Sequence, residues 1–275
     1  MSNFFNQNNL FDTDENGATI MPIFTEIEGN PDLDCSKVPL TGLPILPLRN
    51  MVMYPGVALP VSVGRSKSMQ LIKDAYPAKQ FIGVICQKEM NINDPDANDL
   101  YSVGTIAEIV KILEMPDGTT TVILQGKKRF RLDRITSNDP YMHGDITILE
   151  EEMPVPDDKE FEALTSSIKD LTFSILKIMG EPTRELIFAL RNIENAPYLI
   201  NFLCSNIPVS AQQKQEFLET GNLKQRAYYL YSALNKEAQL IKIKAYIYRA
   251  ATNNHAAAIN SITGSGGGQA VNKDG

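Results

Sequence analysis

The sequence predicts an α+β protein in which a β-rich domain precedes a bundle of helices. From Leu43 to about Ile148 apolar and polar residues mostly alternate, whereas after Pro154 apolar residues recur every three or four positions. A period of two is typical of half-buried strands, and a period between three and four is typical of amphipathic helices. The change of period therefore predicts a β-domain over residues 43–153 and a helical domain over residues 154–248.

Short runs rich in β-branched residues fill the first domain. They predict strands at residues 57–63, 81–87, 103–112, 120–126, 129–135 and 141–149. The Asp-Gly pair in "MPDGTT", after the third of these runs, predicts a hairpin turn. One helix interrupts the strands at "SKSMQLIKDAY", with Ser66 as the candidate N-cap. Many short strands with a single helix favour a small sheet or a closed or partly closed barrel.

The second domain is predicted to hold several helices in succession. An apolar stripe predicts the first of them and contains Leu164, Ile168, Leu171, Ile175 and Ile178. Gly180-Glu181-Pro182 is expected to end this helix, and two shorter helices follow over about residues 183–191 and 197–206. Ser210 and Gln213 then match a capping box, which predicts the start of a fourth helix.

The longest helix is expected to start at Asn222 and to run to about Tyr248. Its apolar residues recur every three or four positions, a pattern that fits either a coiled-coil seam or packing onto the preceding helices. Four residues of this stripe are candidates for an assembly seam between subunits: Leu223, Leu230, Leu234 and Ile241.

Charge limits the classes of partner. The chain has a net charge of −7, and nearly all of it lies in residues 1–42, where seven acidic residues accompany Lys37. This leader is expected to be disordered. The rest of the chain is close to neutral, which disfavours binding to nucleic acid or to a membrane surface. The glycine-rich residues 249–275 are expected to form a flexible tail.

The cysteines and the apolar runs indicate the compartment. Cys35, Cys86 and Cys204 are widely spaced and form no CxxC pair, which is typical of free thiols in a reducing environment. The apolar runs are too short to cross a bilayer, and the first residues lack the features of a signal peptide. We therefore expect a cytoplasmic protein with neither a metal nor a cofactor.

Few residues indicate catalysis. The sequence contains no GxxxxGK[ST], GxSxG or HExxH pattern, so no catalytic residue is assigned. Two alternatives stay open. Cys86 with His143 would make the chain a small hydrolase, and the run Lys127, Lys128 and Arg129 would make it an RNA-binding protein.

The stretch "LPILPLRNMVMYPGVALPVSVGRSKS" resembles the start of the N-terminal domain of Lon, the ATP-dependent serine protease. The resemblance continues through "GTIAEIVKI", "DGTTTVILQGKKRFRL" and "LKQRAYYLYSALNKEAQLIKIKA", and it covers about residues 43–248. It implies a PUA-like β-domain, a helical bundle and a long helix. It also implies a module that recognises unfolded or degron-bearing protein substrates and supports assembly of a hexamer.

Residues 43–63 hold more apolar surface than one core requires, which points to a surface for exposed hydrophobic segments. Met51, Met53 and Tyr54 are the candidate substrate contacts, and packing in the core is the alternative. The expected partners are unfolded or damaged proteins, with self-association as a weak dimer or within a Lon-type hexamer. The ATPase and protease domains of the family are not among these residues, which fits a truncated gene, an excised fragment or a stand-alone adaptor.

The chain by itself is expected to show no ATP hydrolysis and no cleavage of casein. The reason is that its sequence holds neither a phosphate-binding loop nor an activated nucleophile. Steady-state assays of the purified protein measure both activities. ATP-dependent turnover that persists through purification would contradict this expectation.

Overall fold

The computed structural model describes the backbone of residues 37–114, 120–179 and 184–264. Six strands and one helix come first, and the other helices follow, so the predicted α+β class is confirmed. The elements in chain order are β1 (Leu43–Leu48), β2 (Ala58–Val63), α1 (Ser66–Ala75), β3 (Ile82–Cys86), β4 (Val103–Glu114), β5 (Thr120–Ser137), β6 (His143–Leu149), α2 (Lys159–Met179), α3 (Arg184–Asn192), α4 (Ala196–Asn206), α5 (Ala211–Glu219) and α6 (Leu223–Gly264).

The strands form one mixed sheet in the order β2-β5-β4-β3-β1-β6. Neighbouring strands are antiparallel except β1 and β3, which are parallel. Strand β6, the last in this order, also pairs with the C-terminal half of β5, and the register shifts twice along this pairing. Such irregularities bend a strand. The result is a sheet that folds back onto its longest strand rather than a regular barrel.

Two strands differ from the sequence prediction. Strand β1 lies outside the runs predicted as strands, and it contains Pro44 and Pro47, which lack the N–H groups that a strand uses for pairing. The structure nevertheless places β1 between β3 and β6, with Leu43 and Ile45 fully buried. The runs predicted as separate strands at 120–126 and 129–135 form the single strand β5.

Helix α1 lies where it was predicted, but its cap differs. Ser66 is the first helical residue, and Arg65 occupies the N-cap position without a side-chain hydrogen bond. The N-cap bond of the capping box predicted at α5 is confirmed, since the Gln213 N–H donates to Ser210 Oγ at 3.2 Å. The start of α6 has a comparable cap, where the Asn222 side chain accepts a hydrogen bond from the N–H of Gln225 at 2.9 Å.

Helix α6 extends to Gly264, well past Tyr248, where the apolar stripe predicted its end. The segment after Tyr248 is rich in alanine and contains no proline, a composition that is compatible with a continued helix. Although α6 is 42 residues long, neither it nor another described helix has a stretch apolar enough to cross a membrane.

Some predictions concern residues outside the described ranges. These are the leader up to residue 36, the Asp-Gly turn at 115–119, the stop at Gly180-Glu181-Pro182 and the tail from residue 265 onward. They stay predictions.

A hydrophobic core is continuous between the sheet and the helices. It contains Tyr54 and Val103 from the β-domain together with Ile168 of α2 and Ile200 of α4. The two predicted domains therefore share this cluster, while two further clusters of buried residues lie within the β-domain.

The candidate assembly seam lies inside this shared core. Leu223, Leu230 and Leu234 are fully buried, and Ile241 packs against the same cluster. Helix α6 contacts α2, α4 and α5 along this stripe. These leucines are therefore not available to a second subunit. Their position agrees with the alternative, in which the stripe packs onto the preceding helices.

We expect Leu230→Ala to lower the free energy of unfolding by about 2–5 kcal/mol, because it leaves a cavity in the core. Leu240→Ala is the matched control on the same helix; Leu240 is 49% exposed, and its truncation should cost less than about 0.5 kcal/mol. Urea denaturation followed by circular dichroism measures both. A Leu230→Ala protein of unchanged stability but altered sedimentation would show that Leu230 contacts a second subunit.

Candidate functional site

The predicted substrate contacts lie in the segment that follows β1. Tyr54 is fully buried, and its hydroxyl donates to the carbonyl oxygen of Lys214. Burial is the main reason that the pKa of Tyr54 lies well above its usual value. Met53 is buried in a cluster with residues of β2 and α1, and Met51 is partly buried against the same cluster. Met53 and Tyr54 therefore expose no surface to a substrate; their apolar side chains are used within the chain.

Close backbone contacts hold this segment between the sheet and α4. A Cβ at Gly126 would lie 2.2 Å from the Tyr54 carbonyl oxygen, so only glycine permits this approach. Gly56 adopts φ +79°, a conformation that side chains disfavour. The Asn201 side-chain amide of α4 donates to the Pro55 carbonyl oxygen at 3.1 Å. The segment thus anchors the helices to the sheet.

A second anchor is the buried side chain of Arg226 on α6. It is fully buried and donates hydrogen bonds to the carbonyl oxygens of Phe217 (3.0 Å) and Thr220 (2.7 Å) and to Asn201 Oδ1 (2.6 Å). Its Nη1 also lies 2.7 Å from Glu151 Oε1, an ion pair whose angles are not those of a hydrogen bond. Arg226 therefore ties α4, the α5–α6 turn and the segment after β6 together.

Arg129 of β5 completes this network from the sheet side. Its guanidinium donates to the carbonyl oxygens of Leu218 at 3.1 Å and Glu150 at 2.9 Å. Its Nε lies 3.9 Å from the same Glu151 oxygen. Burial, and after it the charge of Arg226, lowers the pKa of Arg129, while Glu151 acts in the opposite direction. Two buried cations thus share one carboxylate at the junction of the domains.

The basic run that suggested RNA binding is neutralised in the structure. Lys127 pairs with Glu108 at 3.3 Å, and Lys128 pairs with Glu150 at 3.3 Å. Arg129 is buried at the domain junction. The run therefore presents ion pairs rather than a cluster of cations for a phosphate backbone.

The residues of the hydrolase alternative are not brought together. Cys86 pairs with Leu48 on one side of β1, and His143 pairs with Pro44 on the other side. Four residues along β1 alone separate these positions by about 13 Å. Burial raises the pKa of the Cys86 thiol to about 11, which disfavours the nucleophilic thiolate. His143 instead places its Nδ1 3.0 Å from the Tyr141 carbonyl oxygen.

Exposed apolar side chains gather on α6 between residues 240 and 247. Leu240, Ile243, Tyr246 and Ile247 are between 49% and 74% exposed. We call these four residues the distal patch. Leu240, Ile243 and Ile247 are spaced by three and then four residues, so they lie on the side of the helix away from the buried stripe. This second spacing, out of phase with the buried stripe, is visible in the sequence.

The fold has a counterpart among solved structures. It is similar to that of the "N terminal domain of Mycobacterium avium complex Lon protease", with a TM-score of 0.58 and 20% sequence identity over 70% of this chain and 98% of that one. At this identity the likeness concerns the fold alone. The family model of the ATP-dependent protease La (LON) substrate-binding domain matches residues 42–236. The chain belongs to this family, as its sequence motifs predicted.

Relatives with this domain are much longer than the chain. The Lon protease of Parabacteroides distasonis is 55% identical over 88% of this chain, and that of Porphyromonas gingivalis is 42% identical over 86%. The chain spans 30% of the first relative and 28% of the second. The similarity therefore concerns one part of those proteases.

We expect Glu151→Gln to lower the free energy of unfolding by about 3–5 kcal/mol, because it leaves two buried guanidinium groups without their shared carboxylate. Glu150→Gln is the matched control at the neighbouring position. It removes only an exposed pair with Lys128, which should cost about 0–1 kcal/mol. Urea denaturation compares the two variants. Equal effects would indicate that the Glu151 carboxylate is not needed at the junction.

Proposed function

We propose that this chain is a non-catalytic recognition module that binds unfolded or damaged polypeptides for ATP-dependent proteolysis, and that it binds them through the distal patch on α6. Membership of a substrate-binding domain family supports the role. The exposure of four large apolar side chains within two helical turns is the observation that supports the location.

The chemistry of the distal patch suits unfolded chains. Unfolded proteins expose apolar side chains that folded proteins bury, and each Å² of apolar surface removed from water contributes about 25 cal/mol. Leu240, Ile243 and Ile247 offer such surface on a convex helix, which favours contact with many different sequences over one fitted ligand. Tyr246 adds a ring with a polar hydroxyl. Binding is therefore weak and tolerant of sequence.

The position of the patch also suits this role. Helix α6 is about 63 Å long at 1.5 Å per residue. Its first half is buried against α2, α4 and α5, whereas most of its described side chains after Ile241 are exposed. The exposed side chains between residues 240 and 247 are therefore accessible to a long flexible polypeptide. Lys242 and Lys244 are exposed there as well, so a strongly basic segment is disfavoured.

Self-association is the second candidate for the same patch. The predicted seam leucines are buried within the chain, so a dimer or a contact within a hexamer requires another surface. The distal patch is apolar and exposed, and a short apolar seam of this kind gives a concentration-dependent mixture of monomer and dimer rather than a stable hexamer.

The triple variant Leu240→Gln, Ile243→Gln and Ile247→Gln is expected to weaken binding to a permanently unfolded, reduced and alkylated protein by at least about tenfold, a loss of about 1.4 kcal/mol. Its stability should be unchanged because these side chains are exposed. Fluorescence anisotropy of the labelled unfolded protein measures affinity. The matched control replaces the exposed Lys236, Lys242 and Lys244 by Gln, and its affinity should stay within about threefold at physiological salt.

Three results decide between the alternatives. Unchanged affinity in the triple variant would reject the distal patch as the binding surface. Strong salt dependence, or tighter binding to RNA than to unfolded protein, would favour the basic run. Analytical ultracentrifugation of the same variant tests the second candidate, since a shift from dimer to monomer with unchanged affinity would assign the patch to self-association.

A further inference from the structure

A groove opens beside the N-terminal end of α1, between this helix and strand β1. It encloses about 200 Å³. Its floor is apolar and includes Ile45, Leu71 and Met142. One wall is polar and consists of the first turn of α1, residues 66–68. We call this cavity the α1 groove.

The first turn of α1 brings hydrogen-bond donors to this wall. The first main-chain donor with a partner in the helix is Met69, whose N–H donates to the Arg65 carbonyl oxygen at 2.9 Å. No side chain caps the helix. Among the hydrogen bonds of the described residues, none is donated by the N–H groups of residues 66–68. Such N–H groups, together with the helix dipole, attract an anion.

Ser68 supplies an independent indication of a ligand. It is only 8% exposed, on the same helical face as Leu71, and it lines the groove. In the part of the chain that the structure describes, its hydroxyl has no hydrogen-bond partner. Its Oγ atom is accessible from the solvent side. A polar group at such a buried position favours a partner. An oxygen atom of a ligand in the groove would be that partner.

The charges around the groove favour a negative ligand. Lys67 lies on its wall, and its Nζ is 2.9 Å from Asp94. Arg65 also lines the groove, and Arg49 is close enough to lower its pKa, second to the effect of burial. Two cations, Arg65 and Lys67, therefore line the groove together with one acid, Asp94. Asp74 lies further along α1, at the hydroxyl of Tyr141.

We propose that the α1 groove binds the C-terminal carboxylate of a polypeptide. The carboxylate oxygens accept hydrogen bonds from the first-turn N–H groups and from Ser68 Oγ, beside the charge of Lys67. The last side chain of the polypeptide packs on the apolar floor, which free phosphate would leave empty. The assignment rests on the proposed function, because it names the part of a polypeptide substrate that this second site recognises.

The test compares two synthetic peptides that end in the same apolar residues, one as the free acid and one as the C-terminal amide. The free acid should bind the full chain at least about tenfold more tightly, because charge-assisted hydrogen bonds are the stronger class. Isothermal titration calorimetry measures the affinities. Nuclear magnetic resonance should show the amide signals of residues 66–68 shifting with the acid and not with the amide.

Variants at the first turn sharpen the test. Ser68→Asp places a carboxylate where the ligand's would lie, at a helix position where an acidic residue is favourable, and should abolish the preference for the acid. Ser68→Ala removes only the hydroxyl, so it should retain the fold and reduce the preference a few-fold, as expected for one lost hydrogen bond. Lys73→Gln, an exposed change on the same helix away from the groove, is the matched control and should retain it.

Equal binding of acid and amide would overturn the proposal. Displacement of the acid by inorganic phosphate at similar concentrations would overturn it as well and would assign the groove to phosphate. The result is separable from the proposed function. If unfolded protein still needs the distal patch but both peptides bind alike, only the groove assignment fails. If the acid is preferred but the patch variant binds unfolded protein normally, only the patch assignment fails.

Discussion

The buried ion network of Arg226, Arg129 and Glu151 is the constraint on which the arrangement of the molecule depends. Arg226 lies at the base of α6, Arg129 lies on β5, and the carboxylate between them comes from the segment after β6. Buried cations are costly unless each has a partner, so the three elements can meet only where these partners coincide. Main-chain bonds between Glu152 and residues 221 and 223 hold the same junction.

Beyond this junction, helix α6 has a buried region and an exposed region. Near the sheet, its leucine stripe is buried in the core that the helices share with Tyr54 and Val103. Further along, the helix passes its neighbours, and the distal patch is exposed. The buried stripe thus contributes to stability, and the distal patch is the proposed binding surface. A rigid base is useful to such a binding helix because it limits the conformational entropy lost when a partner is bound.

Agreement between sequence and structure was best where a local pattern decides the outcome. The change from alternation to helical spacing separates strands from helices, and the caps at Ser210 and Asn222 depend only on residues nearby. Strand β1 shows the opposite case. Its two prolines disfavour a strand locally, but β3 and β6 pair on either side of it and bury its apolar residues. Long-range pairing outweighed the local preference.

By itself, the sequence determined the α+β class, the position of the β-rich part before the helical bundle, and membership of the Lon substrate-binding family, because periodicity and motif order are properties of the chain alone. Only the tertiary structure decided which apolar residues are accessible. Met53, Tyr54 and Leu230 are as apolar in sequence as Leu240 and its neighbours, yet the former are buried and the latter exposed. Hydrophobicity favours burial, but which residues are buried depends on what packs against each face.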